Sequence, residues 1–260
     1  MIIRYFTEGE RLDVAGLNEI TVLIDRSETE LTEVGWNCWT PNQDGPPHKH
    51  NDKTQLFYVT DGVGKIHLGN DVYDASPGDL AYVPAGLIHK TITTTSEKLC
   101  YMLFNVFISK DKEGHATFAD HIEKVKQIRK LQAESGKSEV AEENSLVEVL
   151  PGKFFNQILN NNKPDLLDKH SIGLIPWSDN INLELNLVRR SAGEKNQIEV
   201  HDDKEQTFFI LQGNGTVTVG SESSQVKAGN VIAIPRNVYH KAEACNEDLY
   251  YLCLNSYSIT

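Results

Sequence analysis

The chain has 260 residues, 39% of them hydrophobic and 24% charged, which is the composition of a folded globular protein and excludes a disordered or collagen-like chain. Its formal net charge of −12 repels phosphate backbones, and no cluster of lysine and arginine offsets it. No apolar run is long enough to cross a membrane. The composition therefore predicts neither a nucleic-acid partner nor a membrane protein.

The N-terminal stretch MIIRYFTEGERLD places charged residues where a secretory signal needs an unbroken apolar core. The cysteines contain no CxxC pair and are too sparse for a disulfide framework. We therefore predict reduced, mostly buried thiols and a cytoplasmic protein. The cysteines are Cys38, Cys100, Cys245 and Cys253.

Short apolar segments separated by glycines come next in the chain. The runs QLFYVTD and KIHL end at Gly62 and Gly69, and the turn SPGD contains Gly78. Glycines at this spacing punctuate the strands of antiparallel sandwiches and barrels, because they adopt turn conformations at little steric cost. The run LCYMLFNVF closes this group, which predicts a small β-barrel.

The middle of the chain has a different pattern. Residues 117–135 have apolar residues at near-helical spacing with charges between them, which predicts a helix packed against a barrel. These residues are Phe118, Ile122, Val125 and Leu131. Residues 135–144, SGKSEVAEEN, are predicted to be a linker. A second group of strands begins near VEVLPGKFF and ends with DLYYLCLNS.

The two groups of strands are copies of one unit at an offset of 151 residues. The matched pairs are His50 with His201, Gln55 with Gln206, Gly62 with Gly213, Gly64 with Gly215, Gly69 with Gly220, Gly78 with Gly229, Pro84 with Pro235 and His89 with His240. Because duplicated domains diverge first in their loops, a run of about 40 positions without insertion indicates a shared backbone path. We predict two domains, 1–116 and 145–260, joined by a helix and linker at 117–144.

The histidine-containing segments of both copies resemble the two consensus motifs of the cupin superfamily. The first copy reads HKHNDKTQLFYVTDG at 48–62 and GDLAYVPAGLIH at 78–89. The second copy reads, more weakly, EVHDDKEQTFFILQG at 199–213 and GNVIAIPRNVYH at 229–240. The resemblance implies an all-β bicupin, with two jelly-roll β-barrels in tandem and a short helical connection between them.

By this resemblance each barrel has four metal-ligand positions. They are His48, His50, Gln55 and His89 in the first barrel, and Glu199, His201, Gln206 and His240 in the second. Residues i and i+2 of a strand point to the same face, so His48 and His50 are expected to face the interior together. Such a ligand set suits a divalent transition metal (Fe, Mn, Ni, Cu or Zn), with up to one ion per barrel. The alternative is a barrel that holds water or a ligand without metal.

Two features depart from the cupin pattern. Family members usually have Glu where this chain has Gln55 and Gln206, and a neutral amide can neither act as a general base nor compensate the charge of an ion. The first site is therefore expected to favour an anionic substrate or a bound hydroxide. Glu199 replaces the first histidine of the second site, and we take it as the candidate catalytic residue because its carboxylate can bind an ion or accept a proton.

Some residues near these motifs have a plainer interpretation. Phe57 and Phe208 share a strand face with Gln55 and Gln206 by parity, which makes them candidate walls of a substrate pocket, although aromatic residues in such positions are often only core. Histidines without a partner at the 151 offset are treated as background. They are His67, His115, His121 and His170.

The resemblance implies a metal-dependent bicupin enzyme that acts on a small organic molecule, by dioxygenation or by isomerisation through a metal-bound enolate. The chain is similar to quercetinase-type dioxygenases and to bicupin isomerases of the bacilysin-pathway type, and the sequence does not choose between these reactions. The alternative is a non-catalytic cupin that binds a sugar or a carboxylate. A small-molecule substrate is the expected partner, and a homodimer is an expected assembly.

Overall fold

The structure, a computed structural model, describes residues 1–93, 96–135, 150–160, 170–179, 182–194 and 197–258. Strands β1 to β11 are Ile2–Tyr5, Glu10–Val14, Asn18–Ile24, Thr32–Trp39, Gln43–Asp44, Lys53–Gly62, Gly64–Leu68, Asp71–Ala75, Leu80–Val83, His89–Thr93 and Leu99–Phe107. Helix α1 is Phe118–Ser135. Strands β12 to β20 are Lys153–Phe155, Ser171–Ile175, Leu183–Arg190, Lys204–Gln212, Asn214–Val219, Glu222–Lys227, Asn230–Ile234, His240–Ala244 and Leu249–Tyr257.

The chain forms two compact units, each built from two antiparallel sheets. The first jelly roll, Gly9–Glu28 and Thr32–Ile158, has one sheet in the order β12-β9-β6-β11-β4-β3-β2 and another in the order β5-β10-β7-β8. The second jelly roll comprises Met1–Glu8, Thr29–Leu31 and Leu159–Thr260, with sheets β1-β18-β15-β20-β14-β13 and β17-β16-β19. The prediction of an all-β, double jelly-roll fold is confirmed, although each unit consists of two separate sheets rather than one closed ring.

The core of each jelly roll lies between its two sheets. In the first, Phe57 of β6 and Ile66 of β7 belong to one buried apolar cluster. In the second, Phe208 of β15 and Val217 of β16 do the same. Because alternate side chains of a strand point to opposite faces, one face of each sheet supplies this core. The interior face is therefore where any site of the jelly roll must be built.

Each jelly roll includes the strand that begins the other repeat. β1 pairs with β18 of the second jelly roll, with Ile3 opposite Ile232. β12 pairs with β9 of the first, with Phe154 opposite Ala81. Both pairs obey the sequence offset, since 154 − 3 and 232 − 81 are each 151. The exchange of first strands is thus a property of the repeat.

β1 lies in the predicted domain 1–116 but belongs to a sheet of the second jelly roll. β12 lies in the predicted domain 145–260 but belongs to a sheet of the first. The two ranges therefore remain predictions of domain extent. The helix predicted from 117 is α1, in which Phe118 and Ile122 are buried in the core of the first jelly roll. Leu131, predicted on the same face, is 63% exposed. The predicted linker 135–144 lies outside the described residues, apart from the last residue of α1.

The matched glycines form turns that other residues would strain. Gly62 and Gly213 have φ angles of 75° and 85°, in the left-handed region. A Cβ atom at Gly62 would lie 1.8 Å from the carbonyl oxygen of Lys98, and one at Gly213 would lie 2.2 Å from that of Asp248. Only glycine meets both conditions, which explains the turn signal at these two positions of the repeat.

The cysteines differ from the expectation of reduced thiols. Cys38 of β4 and Cys100 of β11 are directly opposite each other in the strand pair and form a disulfide. Cys245 and Cys253 are free. The prediction was wrong for the first pair because spacing along the chain does not reveal which cysteines face each other across two strands. Among the described residues, the structure has no helix suited to crossing a membrane.

Candidate functional site

Three histidines of the first jelly roll meet where the segment before β6 approaches β10. His48 and His89 form an isolated antiparallel bridge, with N–H to O distances of 3.1 Å from His48 to His89 and 2.9 Å in the reverse direction. The ring centroids of these two residues are 4.3 Å apart, and the ring of His50 lies 5.2 Å from His48 and 5.7 Å from His89. One ligand atom of each lies within 4.8 Å of the others, as a shared ion requires.

His48 and His50 do not lie within a strand, although the expectation that they share one face assumed that they do. β6 begins at Lys53, and His48 takes part only in the single bridge to β10. His50 precedes β6 in an extended segment whose carbonyl accepts a hydrogen bond from the N–H of Gly86 at 2.7 Å. The histidines therefore converge through long-range pairing with the loop before β10.

Backbone carbonyls fix the orientation of two of the rings. Nδ1 of His48 lies 3.0 Å from the oxygen of Pro46, and Nδ1 of His89 lies 3.0 Å from the oxygen of Leu87. Because a carbonyl only accepts, each Nδ1 carries the proton and each Nε2 keeps its lone pair. Nε2 of His89 is buried, with no hydrogen-bond partner among the described residues. Metal-binding histidines are commonly held in this way.

Gln55 is buried, and its amide is oriented by a second side chain. Its Nε2 donates to Oδ1 of Asn105 at 2.8 Å, and Nδ2 of Asn105 donates to Glu33 at 2.6 Å. Glu33 also accepts two hydrogen bonds from Arg26, at 2.7 and 3.0 Å. Oε1 of Gln55 is buried and has no hydrogen-bond partner within the described part of the chain. An amide oxygen that is fixed and unpartnered is a suitable fourth ligand.

Burial keeps the histidines of this cluster neutral. It lowers the pKa of His48 to about 4 and lowers the pKa values of His50 and His89 well below the ordinary value. The positive charge of Lys53 adds to the effect of burial on the pKa of His50. An imidazole must be neutral to bind a metal, so the lone pairs are available at neutral pH without displacing protons.

The second jelly roll repeats the arrangement with Glu199 in the first ligand position. Glu199 and His240 form the equivalent bridge, with N–H to O distances of 2.8 and 2.9 Å. Nδ1 of His240 lies 3.0 Å from the oxygen of Val238, and the rings of His201 and His240 are 5.3 Å apart. Nε2 of Gln206 donates to Asn255 at 2.8 Å. The ligand atoms of the acid and the two histidines lie within 4.8 Å of one another.

The two clusters differ in their electrostatics. Glu199 is exposed and forms an ion pair with Arg190 at 3.4 Å, and its other oxygen lies 3.6 Å from Nε2 of His201. Burial lowers the pKa of His201, although the negative charge of Glu199 acts in the opposite sense. One oxygen of this carboxylate thus contacts an arginine and the other faces the ligand cluster, which makes the two sites electrostatically unequal.

A cavity of about 340 Å³ opens onto the first cluster. All four predicted ligands of this jelly roll line it, together with Phe57. Phe57 is buried, stacks on Tyr101 with centroids 4.7 Å apart and lies 5.9 Å from the ring of His89. In the second jelly roll Phe208 is also buried, 6.3 Å from the ring of His240 and 4.7 Å from that of Tyr251.

The cavity also contains residues that the sequence analysis missed. His121, treated above as background, lines it from α1, with its ring 6.4 Å from that of His50. Burial lowers the pKa of His121 to about 2. Arg129 of α1 and Lys53 of β6 line the same cavity. Helical spacing from Phe118 could have identified His121 and Arg129, which follow it by three and eleven residues and share its face.

Comparison with known proteins identifies the family. Residues 36–106 and 186–255 both match the family described as Cupin domain, and together these matches span more than half of the chain. The chain therefore belongs to the cupin family and contains two cupin domains. An uncharacterized protein of Streptomyces coelicolor is 32% identical over 75 residues, which are 29% of this chain and 70% of that protein.

Two solved structures have the same fold over most of the chain. A single-residue variant of oxalate decarboxylase from Bacillus subtilis aligns over 99% of this chain and 78% of its own, with 17% identity and a TM-score of 0.60. A single-residue variant of salicylate 1,2-dioxygenase from Pseudoaminobacter salicylatoxidans aligns over 88% of this chain and 71% of its own, with 13% identity and a TM-score of 0.64. At these identities the likeness concerns the fold.

Proposed function

We propose that the first jelly roll is the active site of a metal-dependent enzyme that acts on a small organic molecule, by dioxygenation or by isomerisation. The observation on which this rests is the pair of buried ligand atoms without a hydrogen-bond partner in the described part of the chain, Nε2 of His89 and Oε1 of Gln55, in residues that line one cavity with His48 and His50. A buried polar atom without a partner costs free energy, so its retention favours a bound ion as the missing partner.

The donor set fits a divalent transition metal. His48, His50, His89 and Gln55 would hold it in the first jelly roll, and His201, His240, Gln206 and Glu199 in the second. Three imidazoles and an amide oxygen suit Fe, Mn, Ni, Cu or Zn better than Mg or Ca. The structural neighbour from Bacillus subtilis is described as having Mn(II) centres. When bound, such an ion would act as a Lewis acid that polarises the substrate.

The residues around the cluster have distinct roles in this proposal. Phe57 and Tyr101 form an apolar wall that limits access of water to the ligands. His121 is neutral at pH 7 because burial lowers its pKa, and its Nδ1 has no hydrogen-bond partner among the described residues, so this ring can accept a hydrogen bond from a bound molecule but is too weak a base to remove a proton. In the second jelly roll, Glu199 is the candidate proton acceptor.

Elemental analysis of untagged protein tests the metal sites. We expect His89→Ala and His240→Ala each to remove about one metal equivalent from its own jelly roll. His170→Ala is the control, because its side chain is 65% exposed and lies outside both clusters. If neither variant changes the metal content, the sites do not hold metal and the non-catalytic binding alternative is favoured. A substrate screen with and without O2 then separates dioxygenation, which needs O2, from isomerisation, which does not.

A further inference from the structure

A buried lysine lies on the same face as the ligands of the first jelly roll. Lys53 is only 1% exposed, although lysine is almost never buried without a partner. It is two residues before Gln55 and four before Phe57 on β6, so all three point to the interior face. All three line the cavity. Lys53 therefore lines the same cavity as the candidate metal site.

Lys53 shares the ring of Phe107 with two other cations. Phe107 is flanked by three cations, with Arg26 at 5.1 Å, Lys53 at 5.3 Å and Lys112 at 5.8 Å from its ring centroid. Glu33 forms its ion pair with Arg26. Among the described residues, no carboxylate lies within the 4.0 Å of an ion pair with Lys53. A buried charge without an ionic partner is strongly unfavourable, which a functional role can justify.

The remainder of the cavity suits an organic molecule with a charged end. Trp39, Phe57 and Leu103 supply apolar surface, and Arg129 adds a second cation on α1. One terminal nitrogen of Arg129 donates to the carbonyl of Val14 at 3.3 Å, which holds the guanidinium in place. A volume of about 340 Å³ is at the small end of ligand pockets.

We propose that this cavity binds a small organic carboxylate, whose carboxylate group forms an ion pair with Lys53 while its apolar body packs against Phe57 and Tyr101. The ammonium provides one compact positive charge, which matches a monoanionic carboxylate. The inference that this carboxylate is the substrate of an enzyme rests on the proposed function. The inference that the cavity binds a carboxylate does not, because it depends only on the residues that line the cavity.

The second jelly roll provides a matched control. Lys204 occupies the position of Lys53 at the 151 offset, but its ammonium lies 3.5 Å from the hydroxyl of Tyr257, which in turn donates to Glu184 at 3.1 Å. Lys204 thus has polar contacts of its own. Substitution of Lys204 should leave carboxylate binding in the first jelly roll unchanged.

Calorimetry on metal-free protein tests the site independently of metal and turnover. The probes are benzoate and butanoate, two monoanions with an apolar body, each paired with its neutral amide. We expect wild type to bind at least one carboxylate more tightly than its amide, and Lys53→Met to lower that affinity about 10- to 100-fold, the value of a charged hydrogen bond. Lys53→Met should not change the affinity for the amide, and Lys204→Met should behave as wild type.

Thermal unfolding gives a second measurement on the same proteins. Because Lys53→Met removes a buried charge that lacks an ion pair among the described residues, its melting temperature should rise, while Lys53→Arg should retain carboxylate binding. If Lys53→Met does not fold, stabilisation of wild type by carboxylate but not by amide still supports the site. Two results would overturn the inference. One is that wild type binds no carboxylate more tightly than its amide, and the other is that folded Lys53→Met binds the carboxylate as tightly as wild type. Loss of metal binding alone would overturn only the proposed function.

Discussion

Glu33 and Gln55 are connected through a single side chain, Asn105, which donates to the first at 2.6 Å and accepts from the second at 2.8 Å. The second jelly roll has the same connection, in which Asn255 joins Glu184 and Gln206 at 2.9 and 2.8 Å. The carboxylate that cupins usually place among the ligands is absent at Gln55, and a buried carboxylate lies two hydrogen bonds behind the amide instead.

This connection gives a physical reason for glutamine at the ligand position. Since Glu33 is an acceptor, Asn105 must present its NH2 group to it, which leaves the carbonyl oxygen of Asn105 facing Gln55. Only a side chain with a donor satisfies that oxygen, and an ionised glutamate has none. The expectation that the protein places no compensating carboxylate near the first site was incomplete, although Glu33 is itself paired with Arg26.

Replacement of Glu33 should be severely destabilising. Glu33→Gln leaves the guanidinium of Arg26, whose side chain is 1% exposed, buried without its ion pair, so the free energy of unfolding should fall by about 3–5 kcal/mol. Glu184→Gln is the matched control, because Glu184 accepts hydrogen bonds from the neutral side chains of Asn255 and Tyr257. Urea unfolding of both variants measures the difference, and equal losses would contradict this account of Glu33.

Gln55→Glu should destabilise the metal-free protein by about 1–3 kcal/mol, since the new carboxylate faces the carbonyl oxygen of Asn105 without a donor. Added Mn(II) should recover part of that loss, because an anionic ligand binds a hard cation more strongly than an amide does. Thermal unfolding with and without Mn(II) tests both effects. Gln55→Leu, which can neither donate nor bind the ion, should be destabilised without any recovery by metal.

The stability of the metal-free protein should depend on pH through its buried histidines. Imidazoles of the unfolded chain titrate near pH 6.5, whereas burial lowers the folded-state pKa of His48 to about 4 and that of His121 to about 2. Below pH 6.5 the unfolded state binds protons that the folded state does not, so the free energy of unfolding should fall as pH decreases. The contribution of His48 should level off below about pH 4, and that of His121 should continue to about pH 2.

Urea titrations from pH 7 to about pH 4 measure this dependence. His121→Leu should give a shallower decline than wild type, because one buried imidazole has been removed. His170→Leu, at an exposed position, should retain the wild-type slope. A decline that is unchanged in His121→Leu would show that this ring is not held neutral by burial.

Removal of Arg190 should strengthen metal binding in the second jelly roll. Arg190 forms an ion pair with one oxygen of Glu199 at 3.4 Å, so it competes with an ion for that carboxylate and adds a positive charge beside the cluster. Arg190→Met should therefore raise the affinity of this site for Mn(II), measured by titration of the His89→Ala protein. Arg189→Met is the neighbouring control, since Arg189 pairs with Asp248 at 2.8 Å instead. Equal affinities in the two variants would contradict a role for Arg190.

The sequence alone was sufficient for the repeat, the all-β character of each copy and the positions of the histidines. These features are local: an HxH pair, a turn glycine such as Gly62 and an offset of 151 residues are visible along the chain because each depends on spacing within one motif. The same is true of α1, whose buried face follows from the spacing of Phe118 and Ile122. Family resemblance then supplied the ligand set, which no spacing rule provides.

The tertiary structure decided the features that depend on pairing between distant strands. Which jelly roll receives β1 or β12, which cysteine faces Cys38, and which acid lies behind Gln55 are all determined by strand register, where partners are far apart along the chain. The sequence shows Lys53 only as a polar residue at the end of a strand, whereas strand register places its ammonium over the ring of Phe107 and its side chain along the cavity. Spacing along a chain specifies which face a side chain occupies, but only the packing of two sheets determines what that face encloses.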